Sequence, residues 1–272
     1  MAVTQRDYSG EQVEAAKSVM IELTRLLGEY RDDIVLIGGW VPELLFSGHV
    51  GSIDIDLALN HLTLQEAGYA TIETLLLSRG YRKDDDRQYV FHRIVEVNGI
   101  EIEVEVDLLA GEYAGTGKGR RHQNIQDIKA RKARGCELAF DMASEVTISG
   151  RLPDGALDSV KVRVASIVPF IVMKGMALHD RLKEKDSYDI YFCLKNYPGD
   201  LGALVEEFRP HISHGLVREA LSKIAEKFLS ADHVGPVHVA DFLEIVDQEE
   251  RELLQRDAYE RMNYLLEKLT EE

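Results

Sequence analysis

The run SIDIDLAL, residues 52–59, alternates polar and apolar side chains with a period of two. That pattern fits a half-buried strand, in which every second side chain shares a face. Asp54 and Asp56 therefore point one way, and Ile53, Ile55 and Leu57 the other. Along such a strand their Cα atoms are about 6.5–7 Å apart. Like charges that close repel each other unless cations offset them. Just upstream, DIVLIGG reads as a buried strand ending at Gly38-Gly39, and WVPELLF as a short helix with Pro42 in its first turn. Residues 33–59 must thus fold as strand, glycine turn, short helix and acidic strand.

A third carboxylate is expected to join the pair. In GIEIEVEVDLLAG, Ile102, Val104, Val106 and Leu108 form a buried face, and Glu101, Glu103, Glu105 and Asp107 the opposite one. If this strand pairs with the acidic one, Asp107 approaches Asp54 and Asp56. The three glutamates read as a solvated face. Three converging carboxylates suit Mg²⁺, a hard cation with a preference for oxygen. Two such ions about 3.5–4 Å apart can stabilise the attacking and leaving oxygens of an in-line phosphoryl displacement.

The rest of the chain sets the frame. Its 272 residues carry a formal charge of −16, which argues against whole-surface attraction to nucleic acid but leaves room for a local basic patch. The start MAVTQRDYSG lacks a signal-peptide apolar stretch, and no run is long and apolar enough to span a membrane. Cys136 and Cys193 are too few for a disulfide framework. A cytoplasmic protein without membrane association is expected. Helical spacing marks residues 11–30 and 64–79, and strands are expected near 89–97 and 100–109. Helices follow near 166–183, 185–196, 200–208, 214–229 and 238–269. The expected architecture is α+β: a mixed sheet with flanking helices over residues 1–165, then an all-helical domain over 166–272.

Ile37-Gly38-Gly39, a short helix, Asp54-Ile55-Asp56 and a later Asp107 together resemble the nucleotidyltransferase superfamily related to DNA polymerase β. In that superfamily the glycine turn opens a helix that cradles nucleotide phosphates, in line with anion binding by free backbone N–H groups. A serine often follows the first glycine there. Here Gly39 and Trp40 follow, so phosphate contacts would rest on backbone amides. Many relatives also carry a basic residue and a threonine before the first aspartate, where this chain has Gly51-Ser52.

A second pattern, K-x3-L-x2-R-x4-D-x2-D over Lys174–Asp189, resembles AbiEii-type nucleotidyltransferases, the toxins of type IV toxin–antitoxin systems. KARKARGCELAF and VRVASIVPFIVMK are similar to that family too, and the resemblance runs over about residues 30–195. It implies transfer of a nucleotidyl group from an NTP, with Mg²⁺ (two ions expected), to an acceptor such as tRNA or another RNA. It also implies a cognate antitoxin. Asp54 and Asp56 would hold metal, and Asp107 would assist them or act as base. Gly38 and Gly39 would bind phosphate, Lys174 would contact the triphosphate, and Asp186 would position that lysine. From charge alone, the 174–189 stretch reads as a solvated helix–helix junction.

Residues 118–134, KGRRHQNIQDIKARKAR, are basic in an acidic chain. They read equally as a site for RNA phosphates or as a surface loop leading into a helix. Two further functions stay open: an antibiotic-modifying, aminoglycoside-type nucleotidyltransferase, and a catalytically silent module that binds nucleotide or an antitoxin.

Overall fold

The computed structural model describes residues 4–60, 63–64, 71–111, 122–125 and 128–270. It divides into two compact units, each discontinuous in sequence. One comprises Ser9–Leu44 and Gly51–Ser166, the other Met1–Tyr8, Leu45–Val50 and Ile167–Glu272.

The first unit is a mixed sheet with helices. Its elements are α1 (Gly10–Leu26), β1 (Ile34–Ile37), α2 (Val41–Phe46), which runs into the second unit at Leu45, β2 (Asp54–Leu59), α3 (Ile72–Ser78), β3 (Arg82–Lys83), β4 (Val90–Val97), β5 (Ile100–Gly111), β6 (His122–Ile125), β7 (Ile128–Ala133), α4 (Leu138–Asp141), β8 (Ala143–Arg151) and β9 (Leu157–Ala165). Spatial order is β3-β4-β5-β2-β1-β9-β8, with β7 beside β5 and β6 beside β7. The β1–β2 and β4–β5 pairs are antiparallel, whereas β2–β5 and β1–β9 are parallel.

Local chemistry explains several of these elements. Ser9 and Gln12 form a reciprocal cap that starts α1. The apolar stripe of that helix, including Met20 and Leu23, packs on the sheet face that carries Leu36, Ile55 and Leu57. Glu22 lies buried in α1 because Arg79, Arg93 and the Tyr81 hydroxyl all donate to it. Of the helix expected over 64–79, the structure shows Ile72–Ser78 with Thr71 as its N-cap, and residues 65–70 lie outside the described residues.

The second unit contains α5 (Ile167–Arg181), α6 (Glu184–Asn196), α7 (Leu201–Phe208), α8 (Gly215–Ala225), α9 (Val234–Phe242) and α10 (Gln248–Thr270). At its centre Tyr188, Phe192 and Phe242 cluster, with Tyr8, Phe46 and Val50 packed against them. The two N-terminal pieces of chain therefore contribute to a mainly C-terminal core. Close approach of α5 and α8 needs Gly175, where a Cβ would lie 2.8 Å from the Ile224 side chain.

Two expectations are corrected. The helix read over 238–269 is two helices. Glu244 takes a positive φ of 54°, its N–H donates to Asp241 O, and that of Ile245 donates to Ala240 O, a Schellman stop for α9. Asp247 then caps α10 by accepting from the Glu250 N–H at 2.9 Å. Helix α8 also ends at Ala225, short of the expected 229. Among the described residues, no helix is long and apolar enough to cross a membrane.

Candidate active site

β1 delivers the chain to a tight turn at Gly38–Trp40, and β2 returns antiparallel beside it with Asp56 opposite Ile37. Gly38 has a φ of 74°, a region that favours glycine. A Cβ there would sit 1.9 Å from Asp56 Oδ2 and 2.7 Å from its Cγ. The glycine therefore serves both the turn and the space that the Asp56 carboxylate occupies. Trp40 is buried, and its indole N–H donates to the Asp54 carbonyl at 3.0 Å, so it anchors the start of β2. Ser52 Oγ donates to Asp54 Oδ1 at 2.5 Å.

On the other side of β2 runs β5, in a parallel register that sets Asp56 beside Asp107 and Asp54 beside Glu105. The three aspartates singled out from the sequence thus lie on adjacent strands, on the sheet face opposite Ile55 and Leu57. Glu105 is engaged by Arg87 through two hydrogen bonds of 2.9 and 2.7 Å, and Glu103 by Arg82. The carboxylates expected to form a solvated face are therefore partly ion-paired.

Asp107 has an unusual environment. Its Oδ1 is buried and has no hydrogen-bond partner among the described residues, and its Oδ2 lies 3.9 Å from the Arg131 guanidinium. Burial pushes its carboxyl up to about 6; Arg131 opposes that rise, while Glu105 and Asp54 add to it. A buried carboxylate oxygen without a partner is costly and is satisfied by a proton or a cation.

Arg131 was not singled out beforehand. It comes from β7, inside the basic stretch read as either a phosphate site or a loop leading into a helix. Residues 128–133 instead form a strand beside β5, with Leu109 opposite Arg131, and 122–125 pair with it. Alternation of Ile128 and Ala130 with Lys129 and Arg131 was the available signal. Residues 118–121 and 126–127 lie outside the described residues.

Among the described residues, no three His, Cys, Asp or Glu side chains are grouped to hold one metal ion. Mg²⁺ does not need such a cage. It is commonly bound by one or two carboxylates, with waters and substrate phosphates completing six oxygens. Asp54 and Asp56, on the face they share with Asp107, offer carboxylates suited to that mode.

The sequence model of the AbiEii nucleotidyl transferase toxin of type IV toxin–antitoxin systems matches residues 23–269. The chain belongs to the AbiEii family. The match runs through α10, beyond the 30–195 over which the resemblance was read. No curated protein and no solved structure matches the chain. Membership makes the chain a nucleotidyl transferase by class, with a nucleotide substrate and a cognate antitoxin as partner.

The second AbiEii-like stretch lies in the helical unit and is not the solvated junction that its charge suggests. Asp186 and Asp189 are both almost fully buried. Lys174 Nζ lies 2.9 Å from Asp186 and 2.6 Å from Asp189. Arg181 grips Asp186 with two hydrogen bonds of 2.7 and 2.8 Å. Lys185 and His49 each reach Asp189 Oδ1, at 3.0 and 2.9 Å. Burial opposes the charge on Lys174, but Asp186 and Asp189 outweigh it and raise its pKa. Burial likewise opposes ionisation of Asp189, and Lys174 and Lys185 overcome it, holding the carboxyl well below its usual range. His49 is buried and stacked on Tyr188, and burial lowers its pKa more than Asp189 restores it, so it is neutral at pH 7.

The Gly38 geometry yields a direct expectation. Gly38→Ala adds a Cβ into the Asp56 carboxylate and left-handed backbone strain of about 1–2 kcal/mol. Displacing a catalytic group by about 1 Å can cost around 100-fold in rate, and at least that loss of nucleotidyl transfer is expected. Gly48→Ala is the control, because Gly48 also has a positive φ, 79°, but nothing within 4 Å of an added Cβ. Comparable rate losses in the two variants would sink the argument from space.

Proposed function

We propose that the protein transfers a nucleoside monophosphate from an NTP to a hydroxyl of an RNA acceptor, tRNA first among them. The observation that carries this reading is the β2–β5 register, which sets Asp56 beside Asp107, whose buried Oδ1 has no hydrogen-bond partner among the described residues. Asp54 and Asp56 would hold Mg²⁺ together with the nucleotide phosphates. The metal would neutralise charge on the phosphates and orient them for in-line attack.

The protein's own groups do the rest. The acceptor hydroxyl oxygen bonds to the α-phosphorus, the bond from that phosphorus to the bridging oxygen of the β-phosphate breaks, and pyrophosphate leaves. Asp107 takes the hydroxyl proton; burial holds its carboxyl at about 6 in the metal-free protein, so it is mainly ionised at pH 7.5 and free to accept one. Gly38 leaves room for Asp56, and the backbone amides of the Gly38–Trp40 turn are the groups offered to phosphate. For Lys174 the family resemblance alone carries a triphosphate contact, with Asp186 as the residue that positions it.

Purified protein, Mg²⁺, each of the four α-³²P-labelled NTPs in turn and total cellular RNA form the test. Label entering RNA with the intact protein, and at least about 1,000-fold less with Asp56→Ala, is the expected result. Label moving instead into a small-molecule acceptor would replace RNA with an antibiotic-type substrate. Nucleotide binding without transfer to any acceptor would favour a silent module.

A further inference from the structure

On the sheet face turned away from the aspartates, packing is incomplete. A cavity of about 110 Å³ lies between Leu23 of α1 and Leu27 just past its end on one side, and Leu36, Ile55, Leu57 and Val162 of the sheet on the other. All six side chains are at least nine-tenths buried. Protein interiors rarely leave space much larger than a water molecule, because an unfilled void forfeits dispersion contacts on every wall. The six apolar side chains offer water no hydrogen-bond partners; the polar groups of the lining are Thr24 and five charged residues.

The mouth of this cavity has a different character. Arg31, Lys161 and Arg163 line it together with Asp32 and Glu145, an excess of one positive charge in a chain of net charge −16. Lys161 pairs with Glu145 at 2.7 Å, and Arg31 meets Asp32 only at 3.6 Å. Arg163 donates to the backbone carbonyls of Asp32 and Phe140, neutral acceptors, and forms no carboxylate ion pair among the described residues. A guanidinium has five N–H donors and favours planar anions.

We propose that this cavity binds a small carboxylate with an apolar group of about six carbons, comparable to what a ~150 Å³ apolar cavity accepts. The apolar group fills the space under α1, and the carboxylate meets Arg163 at the mouth, with Arg31 beside it. Ile55 forms part of the floor and lies between Asp54 and Asp56 in sequence, so the occupant packs against the reverse face of the strand that carries them.

The test titrates the full-length protein with hexanoate and benzoate, with hexanol and hexylammonium as head-group controls, read by ligand-observed NMR and by the shift in Tm. Hexanoate should bind saturably, hexanol at least about tenfold more weakly, in keeping with loss of a charge-assisted hydrogen bond, and hexylammonium not at all. Leu23→Trp fills the cavity and should abolish binding. Should that variant fold poorly, Arg163→Gln serves in its place and should reduce hexanoate to the affinity of hexanol. Binding should be unchanged in Asp56→Ala, which separates this site from nucleotidyl transfer. No saturable binding up to about 10 mM, hexylammonium binding as tightly as hexanoate, or hexanoate affinity untouched by Arg163→Gln would each overturn the proposal.

Discussion

Asp107→Asn is expected to slow nucleotidyl transfer by about 10²–10⁴ while making the metal-free protein more stable at pH 7.5. The two effects share one cause. A carboxyl held at about 6, against 3.8 when unperturbed, costs stability wherever it is ionised in the folded state. The difference of about two units corresponds to about 3 kcal/mol at most. The attraction to Arg131 is already contained in that net shift, so a gain of about 1–3 kcal/mol is expected, or several degrees in Tm. The sign follows from proton counting. Between its unfolded and folded pKa values Asp107 binds more protons in the folded state, so its contribution to stability grows as pH falls from about 6 towards 3.8.

The stability difference between Asp107→Asn and the parent should therefore be largest above pH 7 and shrink by pH 4.5. Thermal melts in a chelator at the two pH values measure it. Added Mg²⁺ should raise the Tm of the parent more than that of the variant. Transfer should fall by about 10²–10⁴, the usual share of a general base. A variant less stable than the parent at pH 7.5 would show that Asp107 is an ordinary structural carboxylate.

Asp189→Asn should have the opposite effect on the helical unit, a loss of about 3–5 kcal/mol. Asp189 is the common partner of Lys174, Lys185 and His49, and its side chain is fully buried. Removing its charge leaves two buried ammonium groups with one remaining carboxylate, Asp186, which Arg181 already shares. The loss should appear as a lower urea midpoint for the helical unit, followed by far-UV circular dichroism. Lys185→Met in the same background should restore part of it by removing one uncompensated cation. Arg181 is substantially exposed, so Arg181→Gln should cost much less. A loss in Asp189→Asn no greater than in Arg181→Gln would contradict a buried network centred on Asp189.

The same network adds an acid dependence. His49 has its pKa lowered by burial, so below about 6.5 the unfolded chain takes up a proton that the folded one resists. Its contribution to stability thus declines as pH falls through that value.

Much of this protein was legible in order along the chain. Alternation in 52–59 and 100–109 located β2 and β5 and assigned their faces, because side-chain direction in a strand is a local property with period two. The glycine turn and the family were legible for a similar reason, as both rest on short spacings. Three features were not. The break between α9 and α10 falls at Glu244, with no glycine or proline to mark it, and its left-handed turn is held by hydrogen bonds back into α9. Strand β7 was masked by its lysines and arginines. The burial of Lys174, Asp186 and Asp189 left no trace in the sequence, because charges at helical spacing look alike in solvent and in a core.

Sequence by itself therefore determined the family, and the strand faces that Asp54, Asp56 and Asp107 occupy. Tertiary structure alone decided that Asp107 stands beside Asp56, that Arg131 tempers it, and that Asp189 is enclosed by two lysines and a histidine. Those are facts of register and packing between segments far apart in the chain, and the free energies of long-range contacts, not local propensities, set them.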